Sequence, residues 1–436
     1  MNTVATLPVW ENPEIQSYNR LPMRSPLLPF SSPREALADA VAGPEFPAPE
    51  KNPNVLSLDG VWTFKLLDKP ADDYREEGSE AEGFCAGFRV PAWARPSFTP
   101  LKNGGPADGK TGGNWGDIKV PGTWTRQGYD KPHYTNMEMP FQALPPRAPD
   151  QNPTGLYRRT FTLPSGWKER RTVLHIGSAE SCFLVYINGI FAGAGKDTRL
   201  PSEYDIGPFL REGENLICIK VVRYSDASYV EDQDQWWYGG IHRSVFLYST
   251  GESYIKDVRA YPGSYDETQG KLSLAVNLGG NLADDPGPGG KGPFTIEYAV
   301  YPFALPESRA AAETFAERLM NEGPLAGGSV EFTPKYQQNA DIAHAEITVP
   351  HPKLWSHEAP HLYILRVSLS RNGKHIESTA FLTGFRTVKI ANRELLINGK
   401  MVYIKGANRH EHDEKTGKTL STAAMKKDIV LLKTHN

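Results

Sequence analysis

Cysteine is scarce. Cys85, Cys182 and Cys218 are the only three among 436 residues, and their spacing forms neither a disulfide framework nor a metal site. Cys182 and Cys218 stand inside apolar, strand-like runs, which predicts buried free thiols. An excess of one charge is missing as well: 48 basic and 51 acidic side chains leave a net charge of -3. No basic stripe suits nucleic acid, and no long acidic run suits a tail. Met1 to Glu14 contains no apolar signal region, and no stretch is long enough to span a bilayer. No Asn-x-Ser/Thr acceptor with a permitted middle residue occurs. These absences predict a soluble cytoplasmic protein that engages neither nucleic acid nor membrane.

What is present is length, aromatics and short strands. The length predicts two to four domains, each with its own core. Aromatics make up 11% of the chain, with 9 Trp and 19 Tyr. Aromatic faces stack on sugar rings, but β-sandwich cores also take aromatics, so composition leaves both readings open. Residues 1–50 carry Pro22, Pro26, Pro29, Pro33, Pro44, Pro47 and Pro49 and read as an extended arm without regular helix. Residues 51–249 read as a jelly-roll sandwich of short alternating strands. In Ser57–Phe64 every second residue is apolar, and Asn188-Gly189 is a two-residue hairpin signal. The Gly-rich stretch 102–114 reads as a surface insertion.

Residues 250–386 read as a smaller, immunoglobulin-like sandwich. Its strand candidates are Ile255–Tyr261, Leu272–Leu278, Thr295–Phe303, Ala343–Val349 and Leu362–Ser370, with a Pro/Gly loop at Asp284–Pro293. Glu307–Met320 has helical composition, for which a seven-strand sandwich has little room. From residue 387 the character changes. Leu395–Ile397 and Met401–Ile404 flank Asn398-Gly399 as a second hairpin. The polar run Gly406–Asp413 follows, then Ser421 as an N-cap, with Met425, Ile429 and Leu432 at helical spacing. Strand, polar loop and helix make one unit of a β/α repeat, too little to close a barrel. Residues 387–436 are therefore expected to be the start of a truncated barrel domain.

Four ordered segments resemble the family 2 glycoside hydrolases, and within them the large bacterial-type β-galactosidases. The first joins Gly128-Tyr129-Asp130, Tyr134-Thr135-Asn136 and Asn152-Pro153-Thr154-Gly155-Leu156-Tyr157. The second is Asp197–Asp205 and the third Tyr224–Asp234, ending in Trp236 and Gly239-Gly240-Ile241. The last is Asn408-Arg409-His410-Glu411-His412. Pro352–Ser356 and Pro360–Tyr363 add a second-domain marker. The resemblance covers nearly the whole chain. It implies a jelly roll, an immunoglobulin-like domain and the first strand and helix of a (β/α)8 barrel. It also implies that Asn136 and Asp234 contact sugar, and that Asp234 binds a sodium ion. His410, at the end of the first barrel strand, would stabilise the transition state. On residue type alone, a loop Asn suits a turn, three carboxylates in Glu231–Asp234 suit a solvated loop, and a histidine near a strand end suits the surface.

Retaining hydrolysis needs two carboxyl groups roughly 5 Å apart. The resemblance puts both catalytic glutamates, together with magnesium ligands, beyond Asn436, and Glu411 matches neither glutamate. The expectation is thus the N-terminal part of a retaining β-galactosidase acting on terminal β-galactose residues, inactive and poorly soluble by itself. The alternatives are a subunit completed by a partner chain and a non-catalytic carbohydrate-binding double sandwich. The complete form is expected to be a homo-oligomer. A β-glucuronide as the parent substrate is a further alternative, against which the Glu-Asp-Gln-Asp and Arg-His-Glu-His segments speak.

Overall fold

The computed structural model describes residues 7–43, 49–71, 91–97, 115–265, 268–282, 292–333 and 341–435. Cys85, the 102–114 insertion and most of the Asp284–Pro293 loop lie outside them. The chain divides into two units, one made of 1–23, 56–248 and 408–436, the other of 24–55 and 249–407.

The first unit is an antiparallel sandwich. One sheet runs, in order, Ser17–Tyr18, Ile190–Gly195, Cys182–Ile187, Glu214–Val222, Thr154–Thr162, Gly60–Leu67 and Gly116–Val120; the second runs Ser202–Asp205, Arg171–Ile176, Val245–Thr250 and Val55–Ser57. Alternation does the packing. In Gly60–Leu67, Trp62, Phe64 and Leu66 enter the core with Tyr157, Leu174, Phe183 and Tyr204, each removing large apolar area from water. The Asn188-Gly189 hairpin forms as expected, with φ of 51° and 80°, values that a two-residue turn of this kind demands. Cys182 and Cys218 are buried and free; burial pushes both thiols up to about 12, so they stay protonated.

The second unit packs a three-stranded sheet (Ser253–Tyr265, Gln269–Gly280, Ile342–Pro350) against a four-stranded one (Ala326–Phe332, Phe294–Pro302, Tyr363–Arg371, Lys374–Thr383). All five strand candidates appear; Ala326–Phe332 and Lys374–Thr383 were missed. Leu272, Leu274, Val276, Phe294, Ile296, Leu365 and Val367 build the core.

Two helices join this unit, and one corrects the sequence reading. The proline-laden arm is not free of helix: Pro33–Ala42 is helical, with the Ser32 hydroxyl accepting from the Glu35 amide and Pro33 in the first turn. Proline there loses an amide that would be unpaired anyway, and its fixed φ suits the start. The helical composition near Glu307–Met320 is realised as Arg309–Glu322. Leu37, Val41, Ala312, Ala316 and Leu319 pack with Ala299, Tyr301 and Ile364 as a satellite cluster. The room for the second helix comes from the sheet's outer face.

Val388–Ala391, Glu394–Ile397 and Lys400–Met401 form a small ribbon, turned by Asn398 and Gly399 at φ of 52° and 74°. A second correction follows: the strand expected over Met401–Ile404 stops at Met401, and 402–412 contains no strand. The Val402 amide still donates to the Leu395 carbonyl at 2.9 Å, after which Tyr403 and Ile404 are exposed and the chain leaves the ribbon. His410 therefore does not end a strand here. The helix capped by Ser421 spans Thr422–Thr434. Among the described residues no barrel closes, and no helix is long and apolar enough to cross a membrane.

Candidate functional site

The site begins with a two-stranded ribbon in the first unit. His133–Thr135 pairs antiparallel with Gln235–Trp237, placing Tyr134 opposite Trp236 and Thr135 opposite Gln235. Its inner side is anchored. Trp237 is buried and its indole N–H donates to Thr135 Oγ1 at 2.9 Å. Buried Arg223 donates to the Trp237 carbonyl at 3.1 Å and pairs with Asp130 at 2.6 Å. Much of the motif set is thereby scaffold. Asp130 neutralises Arg223, Tyr129 packs edge-on against Phe64 at 4.6 Å, and the Asn152 amide brackets the Tyr224 backbone at 2.8 and 2.9 Å. A Cβ on Gly239 would lie 2.3 Å from the Trp124 ring; only glycine fits there.

The outer side carries the candidates. Tyr134 stands directly opposite Trp236, Asn136 follows the first strand and Asp234 precedes the second. The Tyr134 hydroxyl donates to Asp234 Oδ1 at 2.6 Å. That bond and the carboxylate charge push the phenol above its usual range. Asn136 and Asp234 are both exposed. The structure therefore brings these two predicted residues together at one end of the ribbon. It also sorts the acidic cluster. Glu231 accepts from the Thr198 amide at 3.0 Å and its hydroxyl at 2.6 Å, tying the loop down. Burial pushes Glu231 up against these bonds. Asp232 is exposed. Asp234 is the member aimed at the ribbon's open face.

The His-Glu-His segment meets the same element further along. His412 lies over Tyr238, ring centroids 5.7 Å apart, with the Tyr238 hydroxyl 3.2 Å from Nδ1. Partial burial, then the Arg126 charge, lowers the His412 pKa, favouring the neutral ring. Arg126 donates to the carbonyls of Glu414 and Lys415. Asp413 accepts from the amides of Lys415 and Thr416 at 2.8 and 2.9 Å, which hold its carboxyl below the usual range. Gly417, at φ 66°, completes the turn where a Cβ would touch Tyr238 at 2.9 Å. Lys418 then inserts beside Glu180, 2.9 and 3.0 Å from its two oxygens, with both groups buried. Arg409 pairs with Asp428 at 2.6 Å and with Glu411 at 3.4 Å. His410 is exposed, and among the described residues no hydrogen bond joins it to Asn136 or Asp234.

Sequence reasoning missed Glu180, Lys418, Tyr238 and Arg126. Glu180 carried a usable signal, a carboxylate at the mouth of the apolar run 182–187, where an ionised group must find a partner. Lys418 carried none. Among the described residues no three His, Cys, Asp or Glu side chains gather into a metal cluster. Asp234, held by the Tyr134 hydroxyl, offers a hard oxygen of the kind sodium takes. This chain thus fits part of such a site.

Three family models match in sequence order. They are the glycosyl hydrolases family 2 sugar binding domain over residues 55–251, the model described simply as glycosyl hydrolases family 2 over 253–386 and the family 2 TIM barrel domain over 388–436. A β-galactosidase of Psychromonas ingrahamii is 33% identical over 431 residues, 98% of this chain and 36% of that protein. One from Photobacterium profundum has the same identity and coverage. The chain thus spans little more than a third of the length of the curated relatives it matches. Among solved structures, a putative β-galactosidase from Bacteroides fragilis matches with TM-score 0.61 and 21% identity, covering 86% of this chain and 47% of that one. Bacteroides uniformis β-glucuronidase matches with TM-score 0.58 and 20% identity, covering 87% and 38%. These structural likenesses establish the fold.

Proposed function

This chain belongs to the family 2 glycoside hydrolases, and from that membership we propose that it forms the N-terminal part of a retaining β-galactosidase. Its substrates are terminal, non-reducing β-galactosides of the lactose type, and its location is the cytoplasm. The observation that carries the reading is the convergence on one short ribbon. Asn136 and Asp234 flank the same end of it, with Asp234 bonded to Tyr134, and the segment bearing His410 docks through His412 on Tyr238, the residue after its second strand. In this reading Asn136 and Asp234 bind sugar hydroxyls, Asp234 also holds a sodium ion, and His410 stabilises the transition state. A sodium ion there would add positive charge beside the substrate hydroxyls; the chain's own residues bind and orient the sugar.

The two glutamates of retaining chemistry, and the magnesium ligands, belong to barrel sequence outside this chain, whether continuous with it or supplied by a partner chain. Without both carboxyl groups the acid and the nucleophile are lost together, each worth orders of magnitude in rate. The purified 436-residue chain should therefore not cleave a chromogenic β-galactoside. In the complete enzyme, which would act as a homo-oligomer, Asp234→Ala should raise the galactoside KM about tenfold or more and flatten the sodium response. Turnover by the isolated chain, or a sodium response unchanged by Asp234→Ala, would count decisively against this assignment.

A further inference from the structure

We infer that Tyr134 and Trp236 form an aromatic platform for the apolar face of the terminal sugar, and that Trp236 makes this subsite select galactosides over their 4-epimers. The inference rests on the galactoside reading above and deepens it. Its starting point is an exposure that packing does not explain. Trp237 is 7% exposed, yet Trp236 is 42% and Tyr134 48% exposed. Their own unit leaves these two large rings in water beside the Asp234 carboxylate, where they can serve as a recognition surface.

Geometry supports the role. Tyr134 and Trp236 are direct cross-strand partners, with centroids 5.5 Å apart and planes inclined at 47°. The rings thus make a shallow trough. The anchored inner side, Trp237 on Thr135 and Arg223 on the Trp237 carbonyl, holds the trough in place. Tyr134 spends its hydroxyl on Asp234; its ring faces the sugar while its O–H fixes the carboxylate. One face therefore offers two π surfaces and an oriented carboxylate, with the Asn136 amide one residue beyond the first strand.

A β-galactoside matches that set. Its axial 4-hydroxyl projects from one face of the pyranose, leaving C–H groups at positions 1, 3, 4 and 5 together on the opposite face. That C–H face lies against the trough, while hydroxyls remain for Asn136 and Asp234. In a glucoside the 4-C–H points to the other face and the apolar patch is broken.

The test is competitive inhibition of the complete enzyme by methyl β-D-galactopyranoside and methyl β-D-glucopyranoside. Trp236→Ala should weaken galactoside inhibition about tenfold and glucoside inhibition by less than about threefold. Trp236→Tyr, which keeps a ring, should stay within about threefold of the parent, excluding a merely structural loss. Tyr134→Phe should keep the epimer preference while shifting the sodium concentration for half-activation. Unchanged galactoside inhibition in Trp236→Ala, or equal weakening for both epimers, overturns the platform. Failure of the galactoside reading itself would show separately, as absence of galactoside turnover by the unmutated complete enzyme.

Discussion

Residues 412–418 and the Thr422–Thr434 helix are neighbours in sequence and opposites in environment. The first stretch is seated on its own unit by His412 on Tyr238, Arg126 on two carbonyls, and Lys418 buried with Glu180. The helix buries none of its residues. Ile429 and Leu432, on the apolar face foreseen from spacing, are 52% and 44% exposed. The Ser421 cap, accepting from the Ala424 amide at 3.2 Å, and good helix formers define the helix locally. A helix of this length is nevertheless marginal without packing. A few directional polar contacts are enough to seat a loop, whereas an apolar face takes a fixed position only when another apolar surface covers it.

The largest test of that contrast removes the buried charge pair. Lys418→Ala strands the Glu180 carboxylate in a buried site, at a cost of about 3–5 kcal/mol. Every tryptophan except Trp355 lies in the first unit, so urea unfolding followed by tryptophan fluorescence reports on it. The midpoint should fall markedly, and trypsin should cut faster after Lys415. Replacing both partners, as Glu180→Leu with Lys418→Met, should recover most of the loss, because no bare charge remains. A single variant with a parental midpoint would mean that the pair does not hold the segment.

A smaller effect comes from pH. His242 is buried, and its Nε2 lies 2.7 Å from Ser178 Oγ, whose hydroxyl donates to the Thr198 carbonyl. Burial first, then the charges of Lys418, Arg243 and Arg199, holds its pKa well below the ordinary value. The folded form stays neutral while the unfolded chain binds a proton near pH 6.5. This contribution is therefore whole above that pH and is lost as pH falls toward the depressed folded value. The slope is about 1.4 kcal/mol per pH unit at most. Between pH 6 and 5 the parent's first unit should lose about that much more stability than His242→Asn. Equal pH slopes for the two proteins would remove His242 from the account.

Much of the fold was legible because alternation and turn chemistry are local. Asn188-Gly189 and Asn398-Gly399 named their hairpins, and the five strand candidates of the second unit stood where apolar residues alternate. The Pro33–Ala42 helix was not legible, because prolines around it outweighed the Ser32 cap and because its stability comes from Ala312 and Leu319, distant in sequence. At the site, motif order picked out Asn136 and Asp234, but residue types could not say which of three clustered carboxylates faces the ribbon. Hydrogen bonding separates Glu231 from Asp234. The partnership of Glu180 with Lys418 spans 238 positions, a distance at which a single sequence carries no signal.

The smallest expected effect sharpens the other side of the contrast. Ile429→Gln and Leu432→Gln exchange exposed apolar side chains for polar ones on a helix that buries none of its residues. With little buried area to lose, the unfolding free energy should change by less than about 0.5 kcal/mol. The association of the chain should change instead, because Ile429, Val430, Leu431 and Leu432 together present an apolar surface to solvent. Light scattering should show self-association in the unmodified chain and a more monodisperse double variant. A large drop in stability with no change in association would reverse the inference, for it would mean that this face is already covered in solution.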